Sequence, residues 1–96
     1  MTDNITIEQM NEEIARFMDI EGTDDFIRMN YRYEKSWDLL MPVWYKFRDL
    51  KFDEETPMKL HLNYVTRLAQ DIAYGTIEEV HHNIHIAIQW YNKQQP

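Results

Sequence analysis

The sequence predicts a mainly α protein, a small bundle of about four helices with one short extended or strand segment. Three observations lead there. Capping boxes open segments at both ends of the chain, long stretches carry apolar residues at helical spacing, and a single stretch alternates with period two. The alternative is an α+β fold in which residues 26–33 and 58–64 pair as a two-stranded hairpin.

The first helix is predicted over Ile7 to Asp19. Thr6 and Gln9 form a T-x-x-Q capping box, and Ile5 with Met10 stands at the positions of a hydrophobic staple. Ile7, Met10, Ile14, Phe17 and Met18 then share a face, and Gly22 is a natural stop. In the next stretch Ile27, Met29, Tyr31 and Tyr33 alternate with Arg28, Asn30 and Arg32, which reads as a strand. A second helix is expected from Ser36, with Leu40, Val43, Phe47 and Leu50 on one stripe and Trp37, Met41 and Trp44 beside it. So broad an apolar face suits a central helix. Pro42 predicts either a kink or a regular part that begins there.

Residues 51–56, with Asp53, Glu54 and Glu55, read as an acidic loop. Thr56-Pro57 then resembles an N-cap followed by proline at the first helical position. Met58, Leu62, Val65, Leu68, Ala69 and Ile72 recur at helical spacing, so a helix over 57–74 explains more residues than a strand over 58–64. The last helix opens on a second capping box, Thr76 with Glu79, and runs to about Asn92 with Ile77, Val80, Ile84, Ala87, Ile88 and Tyr91 inward. Ile86 and Trp90 fall on its other side, where they are either covered by a second layer or exposed as a docking patch.

At 96 residues the chain is one domain, 1–96. It has no cysteine, which excludes disulfides and thiolate metal sites. With no charged start followed by an apolar run, and no span of about 20 apolar residues, no export signal or membrane segment is expected, and the predicted location is cytoplasmic. The net charge of −7 is uneven: residues 1–25 carry −7, residues 26–51 carry +3 and residues 52–96 carry −3. An acidic whole argues against nonspecific nucleic-acid binding and suits a basic partner surface. The simpler reading, that acidity serves solubility, holds for most acidic proteins.

Catalytic patterns are not evident. The chain has one serine, Ser36, needed as a helix cap, and two glycines, too few for a phosphate loop. His81 and His85 have metal-compatible i, i+4 spacing, but further ligands are lacking, and three histidines in five residues read as the solvated flank of a helix. No enzyme activity, metal or cofactor is therefore expected, nor a small-molecule ligand. Arg28, Tyr31, Arg32 and Lys35 mix bases with an aromatic, as single-stranded nucleic-acid platforms do, although the polar face of an edge strand reads the same way. For partner binding the candidates are the acids Glu12, Glu13, Asp24, Asp25, Asp53, Glu54 and Glu55.

Three stretches resemble a family of short phage and prophage proteins of unassigned activity: NEEIARFM from Asn11, the run from Ser36 to Trp44 with its SWD and MPVW, and IQWYN ending at Asn92. Residues 51–75 depart from that family, many of whose members are strand-rich there. The resemblance implies a mobile-element context inside a bacterial host, in which small acidic proteins often neutralise host defence. Some similar proteins resemble anti-CRISPR inhibitors of RNA-targeting effector nucleases. The implied partner is a bacterial defence protein with a basic nucleic-acid-binding surface, such as a CRISPR effector with its guide RNA. The alternative functions are a self-associating structural or regulatory phage protein, with Ile86 and Trp90 as anchors, and a small RNA-binding module.

Overall fold

The computed structural model describes residues 6–94. They form five α-helices and one 3-10 turn: α1 (Ile7–Phe17), α2 (Asp24–Asn30), the 3-10 turn (Tyr33–Lys35), α3 (Trp37–Arg48), α4 (Glu55–Tyr74) and α5 (Ile77–Lys93). The mainly α bundle is as expected, with one helix more.

Where the sequence predicted a strand, α2 and the 3-10 turn stand. Thr23 caps α2 by accepting from Phe26 N at 3.2 Å, and Asp24 and Asp25 occupy its first turn, where acids complement the helix dipole. The period-two pattern is broken by burial: Ile27 is fully buried while Met29 is 80% exposed. No strand exists among the described residues, so the 26–33 and 58–64 hairpin does not form.

Helix α1 begins as predicted, with both halves of the Thr6–Gln9 capping box in place. The Ile5 half of the proposed staple lies outside the described residues. The helix ends two residues before Asp19, in a Schellman turn. Asp19 itself takes the left-handed conformation (φ 59°), Ile20 N reaches Ala15 O at 2.9 Å, and Asp19 N reaches Arg16 O at 3.0 Å. Asp19, not Gly22, is therefore the stop. Its carboxylate receives Lys46 Nζ at 3.1 Å, and the same ammonium donates to Phe17 O, sealing the C-terminus of α1 from α3.

Helix α3 runs unbroken through Pro42, capped by Ser36, which accepts from Leu39 N at 3.3 Å. Pro42 and Asp38, whose carbonyl loses its i+4 donor, are both exposed, so solvent can replace the donor that the proline removes. Helix α4 starts two residues earlier than predicted, with Glu54 in the cap position and Pro57 in the third helical position. It joins α5 through Gly75 and Thr76. A Cβ on Gly75 would stand 2.8 Å from Asp71 O and 2.9 Å from Glu79 Oε2, so the tight link requires glycine. Thr76 accepts from Glu79 N at 3.2 Å, one half of the predicted capping box.

The hub is α5, not α3 as its broad apolar face suggested: α5 packs on α1, α3, α4 and the 3-10 turn. Val80, Ile84, Ala87 and Ile88 interlock there with Ile14, Ala15, Ile27, Leu40, Val43, Phe47 and Leu68, all at most 1% exposed. Helix α4 is the outlier. Of its 20 residues only His61 and Leu68 are buried. Met58, Leu62 and Ala69, expected inside, face outward. No described helix is long and apolar enough to cross a membrane.

Candidate functional site

The histidines, predicted to be solvated, divide. His82 is exposed, but His81 and His85 are 3% and 2% exposed and point into the bundle. Around them lies a buried polar chain. Asn11 Nδ2 donates to Glu34 Oε1 at 2.8 Å, and Asn11 Oδ1 lies 2.8 Å from His81 Nε2. A carboxylate offers only acceptors, so the Asn11 amide must turn its nitrogen to Glu34 and its oxygen to His81. His81 must then carry its proton on Nε2. The chain ties α1, the 3-10 turn and α5 together. His85 Nε2, one turn on, sits 3.2 Å from Glu13 Oε2, within ion-pair distance but outside hydrogen-bond geometry, and makes no hydrogen bond. The fourth histidine, His61, is also buried, and its Nε2 donates to Phe47 O at 2.7 Å, closing the C-terminus of α3 from α4. Among the described residues no three of His, Cys, Asp and Glu converge in a metal-holding group.

Burial pushes the His81 imidazole below its ordinary value, with His85 and His82 adding to the shift and Glu34 opposing it. The neighbouring Tyr33 phenol is pushed up to about 12, also by burial. The His81 shift sets the sign of a pH effect. The unfolded chain takes up this proton first, below pH about 6.5, so the stability His81 contributes is whole above that pH and lost as pH falls through its lowered folded value. Urea midpoints should drop between pH about 7.5 and about 5, and drop less in His81→Gln, which keeps a donor toward Asn11 but cannot titrate. Equal slopes in the two proteins would refute the assignment.

The predicted partner-binding acids separate into two groups. Glu12 receives Arg28 Nε at 2.8 Å, a contact that raises the pKa of the guanidinium further. Asp24 receives Arg16 at 2.8 Å, Asp25 lies 3.9 Å from Arg28, and Glu13 abuts His85. These four acids are engaged within the molecule. Asp53 and Glu54 are exposed and form no ion pair among the described residues, and Glu55 pairs only with the exposed Lys59 at 2.9 Å. Glu78 and Glu79, at the start of α5, are likewise exposed and unpaired there, and neither was among the acids expected to bind a partner. They stand at the far end of α4 from Asp53 and Glu54.

The aromatic and basic candidates also shift. Trp90 is half-buried under Tyr64 (ring centroids 5.1 Å) and Phe52 (5.5 Å), while Ile86 is 39% exposed. Ile86 lines a small depression of about 100 Å³ with Tyr64, Arg67, Leu68 and Asn83. The two therefore do not form one open patch. Of the proposed nucleic-acid contacts, Arg28 is taken by Glu12, Tyr31 stacks on Tyr33 at 6.0 Å, and Arg32 lies 3.8 Å from Glu34. Lys35 alone of the four is exposed and unpaired among the described residues.

A cleft of about 600 Å³ lies between α1 and α2, lined by Ile7, Asn11, Arg28, Met29, Arg32 and Glu34. No family model, characterised protein or solved structure matches the chain. Its chemistry has to be read from its own side chains. Apart from His85, the buried histidines and Asn11 are hydrogen-bonded within the fold, and the cleft's carboxylate is already hydrogen-bonded. Among the groups left uncommitted are exposed acids at both ends of α4, with apolar side chains between them.

Proposed function

We propose that this protein is non-enzymatic and works by presenting an acidic helical surface to a basic surface of another macromolecule. In the setting its sequence resemblance implies, the partner is a bacterial defence protein whose nucleic-acid-binding groove the acids occupy, and an RNA-guided effector nuclease of a CRISPR system is the leading candidate. One observation carries the reading: Asp53, Glu54, Glu78 and Glu79 are exposed and free of internal ion pairs among the described residues, while Glu12, Glu13, Asp24 and Asp25 are not. Uncommitted carboxylates can match the Lys and Arg of a nucleic-acid groove without first breaking contacts of their own.

Purified protein titrated into a panel of guide-loaded effector nucleases should suppress target cleavage by at least one, and the inhibition should weaken as salt is raised. The variant Asp53→Lys/Glu54→Lys/Glu55→Lys should lose most of it. A panel that cleaves at full rate in saturating protein would end this reading.

A further inference from the structure

Helix α4 carries an outward stripe that the other described residues leave uncovered. Met58 is 50% exposed, Leu62 is 62% exposed, and Ala69 and Ala73 are exposed as well. At 100° per residue these four positions fall within an arc of roughly 60°, about a quarter turn from the buried His61 and Leu68, and they extend about 22 Å along the helix. The face is large at its N-terminal end and small at its C-terminal end. Two side chains project, and two alanines let another backbone come close. Neither base of α4 is free on this stripe: Lys59 is held by Glu55, and Arg67 lies toward Ile86 on the other flank.

Charge tells the kind of occupant. Asp53 and Glu54 stand at the start of α4, and Glu78 and Glu79 open α5 at its other end, with Glu79 Oε2 close over Gly75. The stripe is thus bracketed by acids about 30 Å apart, the length of the 20-residue helix. We infer that this flank of α4 binds a basic amphipathic helix of a partner protein, four to five turns long, whose apolar residues at i, i+4 and i+11 lie on Met58, Leu62 and Ala69 while lysines or arginines near its two ends meet the acid pairs. A second copy of this chain is the poorer fit, since each copy carries −7 and antiparallel pairing would set the Glu54 end of one α4 against the Glu78 end of the other. The inference rests on the acidic-surface reading above and specifies where and what that surface binds.

The test uses the full chain, labelled for NMR, and an amphipathic Leu/Lys helical peptide of about 18 residues as probe. Resonances of Met58, Leu62, Ala69 and Ala73 should shift on binding. Leu62→Glu, at an exposed position that leaves the core intact, should weaken affinity at least about tenfold, and Asp53→Lys/Glu78→Lys several-fold. A scrambled peptide of equal composition, unable to form an apolar face, should bind about tenfold more weakly. Equal binding of the two peptides, or shifts gathered on α1 and α2, would overturn the α4 site and leave the acidic-surface reading standing. No binding of either peptide at millimolar concentration would remove both. A dimer of the unmodified protein that Leu62→Glu turns into a monomer would give the stripe to a second copy and refute the basic helix.

Discussion

Asn11→Ala should cost about 3 kcal/mol of folding stability, far more than the loss of one average hydrogen bond. The amide stands between two buried groups, the Glu34 carboxylate and the His81 N–H, each 2.8 Å away. Deleting it leaves both without their partner, and each then bears its desolvation with nothing in exchange. Arg32, 3.8 Å from the other Glu34 oxygen at the surface, offsets only part of that. A domain of this size has about 5 kcal/mol to lose, so the variant should melt about 12–24 °C lower and unfold at a much lower urea concentration. The triple variant Asn11→Leu/Glu34→Leu/His81→Leu should recover most of the loss, because no polar group is then stranded. If Asn11→Ala shares its urea midpoint with the unmodified protein, the polar chain contributes nothing to the fold.

Phe47→Ala should be at least as damaging, about 3–5 kcal/mol. Phe47 is fully buried, and its ring packs against His61 at 5.0 Å and edge-on to Tyr64 at 6.4 Å between centroids. Tyr64 continues the aromatic group through Trp90 and Phe52. Truncation opens a cavity where α3, α4 and α5 meet, and it loosens the imidazole that donates to the Phe47 carbonyl. Leucine, which refills most of the volume, should cost clearly less. Thermal unfolding of the two variants checks the order, and a Phe47→Leu protein no more stable than Phe47→Ala would mean that packing volume is not what the ring supplies.

The parts of this fold that were legible in the sequence are those with local punctuation. Thr6 with Gln9, Ser36, and Thr76 with Glu79 marked three helix starts correctly, because capping is settled within four residues. Helix α2 was missed although Thr23, Asp24 and Asp25 mark its start. The alternation of Ile27, Met29, Tyr31 and Tyr33 arises from a short helix running into a 3-10 turn, and that pattern mimics a strand. The start of α4 was misplaced because Thr56-Pro57 resembles a cap and first position, yet Glu54 fills the cap. What could not be read at all is pairing over distance. Asn11 meets Glu34 across 23 residues and His81 across 70, so three ordinary polar residues became a buried chain only once the helices packed. The candidate surface was half visible: Asp53, Glu54 and Glu55 stood out as a run. Glu79 was absorbed into a capping box, and Met58 and Leu62 were assigned to a core that α4 does not fully enter.

Two helix ends in this molecule are finished by side chains from elsewhere: Lys46 of α3 closes α1, and His61 of α4 closes α3. The order of assembly follows. As the polypeptide emerges N-terminus first, the last turn of α1 waits for α3, and the last turn of α3 waits for α4, so each finished segment is locked by the one made after it. A chain halted at Asp49 would hold three of the five helices with the third still fraying, and it would lack the hub, α5, on which α1 and α3 settle.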